Sequence, residues 1–194
     1  MKITYNAPLT LTFAFVSLSV LVLDITLFRG LTNWLFVVGP AGSFSFSDPL
    51  DYFRLVSHGI GHADFGHLVS NFSLILLVGP FLEHRFGWKD LLIMMTITLL
   101  FTGLLNVMFF STGLLGASGI VFMFILLGSF TGAKTGEIPL TFILVAILFL
   151  LKEIVGLFGS EDGVSQTAHV LGGIAGSIFG FMSLYKTSGT TSTV

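Results

Sequence analysis

Between Asp90 and Lys134 stand 43 residues without a single charged side chain. A helix crossing the roughly 30 Å hydrocarbon core of a bilayer needs about 20 apolar residues, so this run holds two crossings. In its middle, Ser111-Thr112-Gly113-Leu114-Leu115-Gly116 supplies the turn formers that a tight connection needs. The run therefore predicts a helical hairpin inside lipid. Helices are forced there, because lipid offers no partners to open backbone groups and no short alternating strands occur. Composition agrees: 54% of the chain is apolar and only 9% charged, against the roughly 25% charged residues of a soluble domain. Eight basic residues against ten acidic ones leave no basic patch for nucleic acid. The absence of cysteine excludes disulfides, thiol nucleophiles and thiolate metal sites together.

Six spans are expected, at about 8–28, 64–82, 91–111, 118–133, 138–158 and 166–185. They predict an all-α polytopic membrane protein, with one membrane domain over residues 1–186 and a disordered Ser/Thr/Gly tail over 187–194. The first span carries Asp24 and lacks a small-x-small cleavage site, so it reads as a retained helix rather than a signal peptide. Residues 29–63 form the one long loop, and its aromatics suit the membrane interface. With the N-terminus inside, Lys2, Arg85, Lys89, Lys134 and Lys186 face the cytoplasm, while Arg29 and Arg54 lie outside. This basic asymmetry favours that orientation.

Ionisable and amide groups inside a bilayer cost free energy, so each is a functional candidate. On the second span His67 and Asn71 are four residues apart and share a helix face, with His62 at the outer mouth. Ser118 begins the fourth span, and His169 lies about one turn into the sixth. The expected topology brings all of them to the outer side. The fourth span, at roughly 24 Å for its length, is too short to cross the core, so Ser118 starts below the outer edge. Such a buried helix start is tolerable where it lines a polar cavity.

A serine hydroxyl becomes nucleophilic when a base takes its proton, and His169 is the only histidine after Ser118. Gly172, Gly176 and Gly180 on the sixth span, with Gly119 and Gly128 on the fourth, would let these two helices pack closely. No carboxylate is placed to orient His169, which makes a dyad. Backbone N–H of Ser118, the His67 ring and the Asn71 amide are candidate donors to an oxyanion, with His62 supporting. Each residue also has a plainer reading: Ser118 as packing glue, the histidines as a polar network or as metal ligands. Asn106, and Lys152 with Glu153, are expected to pair locally, and the Asn71-Phe72-Ser73 sequon is discounted inside a span. Other membrane chemistries fit less well. No His-Glu-x-x-His occurs, Asp24 is the only aspartate within the body of a span, and the polar residues gather outward rather than at a transporter's midplane.

Taken together, these motifs resemble the rhomboid family of intramembrane serine proteases. The similarity runs through His62-x4-His67-Leu68-x2-Asn71, Gly79-x3-Glu83, Gly116-x-Ser118-Gly119 and Ala168-His169-x2-Gly172-x3-Gly176, in order from about residue 50 to 181. Phe53-Arg54 is similar to the family's Trp-Arg element, and Phe122 stands where a tyrosine is frequent. The resemblance implies a six-helix bundle of the compact bacterial type, a Ser118–His169 dyad, and an oxyanion hole from Ser118, His67 and Asn71. It implies no metal and no cofactor. Substrates would be single-span or polytopic membrane proteins, entering near span five and cut near the outer face. A catalytically inactive relative that binds or escorts membrane proteins is the competing reading.

Overall fold

A computed structural model describes residues 2–131 continuously, with Leu140, Ile143, Leu144, Ile147, Leu148, Leu151, Ile174 and Ile178 beyond them. Six helices are described: α1 (Pro8–Thr26), α2 (Leu31–Phe36), α3 (Pro49–Ser57), α4 (Phe65–Phe86), α5 (Trp88–Phe109) and α6 (Ser118–Thr131). Among them α1, α4 and α5 are long and apolar enough to cross a membrane. The protein is an all-α, multi-pass integral membrane protein.

Local chemistry sets most of the helix ends. Pro49 and Pro8 each occupy a first helical turn, where a missing N–H costs nothing. Asp48 caps α3 through Leu50 N–H and Asp64 caps α4 through His67 N–H (2.8 Å). Gly87, at φ +78°, is the single residue between α4 and α5. α4 continues a turn beyond the 82 expected from hydropathy, since Glu83, His84 and Arg85 are polar but good helix formers. The stretch read as one loop, 29–63, holds α2 and α3. Both are too short to register as spans.

α6 is the centre of the described bundle. Every residue from Leu114 to Ile125 is buried. Ile120, Val121, Met123, Phe124 and Leu127 of α6 form one core with Phe72 and Ile75 of α4, Leu91, Met94 and Leu99 of α5, and Leu21 of α1. A helix apolar all round and enclosed by its neighbours is the expected outcome of such a sequence. Its start at Ser118 lies wholly among buried residues, so protein rather than lipid surrounds that end. Outward faces carry exposed apolar residues such as Phe15, Leu77, Ile93 and Leu104. The described positions of the fifth and sixth expected spans are helical, and Leu140, Ile143, Leu144, Ile147, Leu148, Leu151, Ile174 and Ile178 are exposed. Their spacing by three, four and seven puts apolar residues on one lipid-facing stripe.

Lipid is as apolar as leucine, so close packing and polar ties must hold such helices together. Gly79 of α4 permits one close approach: a Cβ there would stand 2.6 Å from Thr10 Cγ2 and 3.0 Å from Phe124. A Cβ on Gly128 would meet Val78 at 3.2 Å, so this glycine permits a close approach of α6 to α4, while the residues of the expected sixth span that would face it lie outside the described residues. Glu83 makes the main polar tie. Its carboxylate accepts from the amides of Leu9 and Thr10 (2.9 Å each) and the Thr10 hydroxyl (2.8 Å), capping a helix that has no side-chain cap of its own.

Candidate active site

The site is assembled from the start of α4, the segment before it, and the connection from α5 to α6. Because Asp64 fixes the first turn of α4, His67 and Asn71 fall on one face, one turn apart. His62 lies just before the helix, with its ring 5.0 Å from that of His67 and 5.6 Å from Phe72. His62 Nδ1 faces the Ile60 carbonyl at 3.1 Å and must carry the proton. Nε2 is then an acceptor, and it receives Asn71 Nδ2 at 3.1 Å. This pair fixes the orientation of the Asn71 amide. Both ring nitrogens of His62 are engaged, which leaves it no lone pair for a metal.

Burial keeps His62 and His58 neutral. His62 is driven down from the usual 6.5 to about 3 by loss of solvent, with the His67 ring adding in the same direction. His58 falls to about 4 by burial. Its Nε2 donates to Leu99 O of α5 at 3.1 Å, while its carbonyl accepts Gly116 N–H at 2.9 Å. His58 thus pins the serine loop to α5 through one residue. Sequence reasoning gave it no such role, since a backbone carbonyl leaves no trace in residue identity.

The loop is strapped a second time. Val38 and Leu114 form an antiparallel bridge, with both N–H to O distances at 3.0 Å. Asn106 of α5 donates to Gly39 O (2.9 Å) and Thr112 O (3.0 Å). The local pairing expected of Asn106 is therefore only half of its role; the other half reaches the long segment between α1 and α4. Arg54 acts within that segment, donating Nε to Trp34 O at 3.1 Å and pairing with Asp51 at 2.7 Å, which ties α3 to α2.

Gly116 is where the parts meet. Its φ of +104° lies in the left-handed region that favours glycine. A Cβ there would sit 2.5 Å from His67 Cε1, 2.6 Å from His67 Nε2 and 3.5 Å from Asn71 Nδ2. Both side chains from α4 therefore close over the backbone two residues before Ser118. Ser118, 4% exposed, opens α6, where the positive end of the helix dipole favours negative charge. Gly119 and Phe122 follow within the buried first turns of α6. His62, His67, Asn71, Gly116 and Ser118 are thus gathered at one end of the bundle, and Glu83 lies on the last turns of α4, at its other end. His169, Gly172 and Gly176 lie outside the described residues, as does Lys152 with Glu153.

The rhomboid domain family matches residues 49–186, more than two-thirds of the chain. The chain belongs to the rhomboid family. Similar rhomboid relatives include the rhomboid protease GlpG of Yersinia pestis (strain Pestoides F) and that of Yersinia pseudotuberculosis (serotype O:3, strain YPIII). Each is 26% identical over 179 residues, which cover 90% of this chain and 62% of the relative. The chain thus spans somewhat under two-thirds of the length of these rhomboids. The matched region includes His169 as well as the whole His62–Ser118 constellation.

Proposed function

We propose that this chain is an intramembrane serine endopeptidase that cuts transmembrane helices of other membrane proteins near the outer face. The observation that carries the reading is the closure of His67 and Asn71 over Gly116, two residues before a serine at a buried helix start. Packing glue needs no such convergence of donors. Membership of a family whose relatives are named proteases supports it.

In this mechanism Ser118 Oγ attacks the scissile carbonyl carbon and passes its proton to neutral His169. Negative charge develops on the carbonyl oxygen, which receives hydrogen bonds from Ser118 N–H, His67 and Asn71. The tetrahedral intermediate collapses, the C–N bond breaks, and His169 returns the proton to the leaving amine. Water, deprotonated by the same imidazole, then hydrolyses the acyl-enzyme. Phe122 offers His169 an aromatic face without a hydroxyl. The basic residues favour a cytoplasmic N-terminus, and the Yersinia relatives favour a bacterial plasma membrane.

The test is cleavage of a single-span substrate in detergent by the wild type, Ser118→Ala and His169→Ala. Both variants should insert and fold yet lose cleavage entirely, because nucleophile and base act as a unit. Wild-type turnover in Ser118→Ala would overturn the assignment. A wild type that binds the substrate without cutting it would favour an escort role.

A further inference from the structure

Two arginines lie on the outer side, where basic residues are disfavoured, and only one is accounted for. Arg54 is committed internally to Trp34 O and Asp51. Arg29 is exposed, and among the described residues its guanidinium has neither a hydrogen bond nor an ion pair. Asp24, close by in sequence, is used instead as an acceptor for Thr32 N–H at 2.8 Å.

Arg29 stands where α1 leaves the hydrocarbon. The amides of Leu27 and Phe28 both close onto Leu23 O, and the chain turns through Gly30 into α2. Around this turn Phe28, Arg29, Gly30, Leu31 and Trp34 line a recess of about 320 Å³. Phe28 and Trp34 are 60% and 62% exposed, so its walls are apolar and open to the membrane. A cation without a partner among the described residues, set between aromatic walls at the interface, asks for an anion that continues into an apolar chain. Arginine grips phosphate oxygens in pairs, and tryptophan favours the headgroup level.

We propose that this recess holds the phosphate of an anionic phospholipid. Arg29 binds the phosphodiester oxygens, and Phe28, Leu31 and Trp34 pack on the first methylenes below the headgroup. No catalytic group takes part, so the site stands apart from the protease reading.

The chain has two tryptophans, and Trp88→Phe leaves Trp34 as the only one. This variant is reconstituted in phosphatidylcholine vesicles holding a minority of phosphatidylglycerol. Brominated acyl chains, which quench tryptophan fluorescence, are carried by one lipid or by the other. Quenching of Trp34 should report phosphatidylglycerol enriched roughly fivefold over its share of the membrane, the scale of attraction for one basic residue at an anionic surface. Arg29→Gln should return the enrichment to the bulk ratio, and Arg29→Lys should keep part of it. Bulk quenching in the parent protein, or enrichment unchanged by Arg29→Gln, would overturn the proposal. So would loss of the enrichment on adding inorganic phosphate at constant ionic strength, which would mark a site for soluble anions.

Discussion

The two ends of α4 each carry a buried polar cluster, and they use their hydrogen bonds in different ways. At the C-terminal end Glu83 accepts three donors from α1, and those bonds complete a helix terminus. At the N-terminal end His62 and Asn71 hold each other and His58 holds the serine loop, while His67 and Asn71 crowd Gly116 two residues before Ser118. The Glu83 cluster consumes its polar atoms in joining helices. The histidine cluster uses its bonds to fix the His62 tautomer and to orient the Asn71 amide beside Gly116. Polarity inside a membrane therefore does not by itself mark a site; what marks it is where the fixed donors converge.

Substitutions should separate the two clusters. Gly116→Ala should have the largest effect. The new Cβ must displace the His67 ring from a backbone that already disfavours a side chain, so activity should fall at least a thousandfold, or about 4 kcal/mol. Near-normal turnover in a single-turnover cleavage assay would show that the contact with His67 is incidental. Asn71→Ala should come next, lowering kcat by roughly 3 kcal/mol as an oxyanion donor while leaving KM little changed. A raised KM at constant kcat would move Asn71 from the transition state to substrate binding.

Glu83→Ala should cost about 2–3 kcal/mol of stability, because it strands amides of α1 away from solvent. Thermal unfolding in detergent measures this, and turnover per folded molecule should be unchanged. A loss of kcat at full stability would erase the contrast between the two ends.

The last effect concerns pH and is spread over several units. His58 and His62 have folded values of about 4 and about 3, below the unfolded 6.5. The unfolded chain therefore binds more protons, and stability present above pH 6.5 is lost as pH falls toward those values. The slope is at most about 1.4 kcal/mol per pH unit for each histidine. A midpoint that stays flat between pH 6.5 and 4 would contradict the neutral, buried state of both rings.

Much of this was legible in the sequence for physical reasons. Long apolar runs disclose spans because lipid leaves no alternative to helices, and His67 and Asn71 share a face by their spacing alone. α2 and α3 were hidden because the reading sought runs of membrane length, although Asp48-Pro49 is a readable helix start. Glu83 could be singled out by resemblance, but its partners Leu9 and Thr10 lie more than seventy residues away and donate mainly through their backbone. The same holds for the His58 carbonyl on Gly116 and for the reach of Asn106 to Gly39. Side-chain chemistry shows in a sequence, whereas backbone partners emerge only when the chain is folded.

The central claim is that Ser118 is an activated nucleophile, and covalent labelling tests it most directly. A fluorophosphonate reacts with serine only when a base has raised the reactivity of its hydroxyl. The wild type in detergent should give a single adduct on Ser118, located by peptide mass spectrometry and insensitive to chelators. The adduct should vanish in His169→Ala and persist, more slowly formed, in Asn71→Ala. Cleavage of substrate with no adduct on Ser118, or cleavage abolished by chelation, would contradict the account.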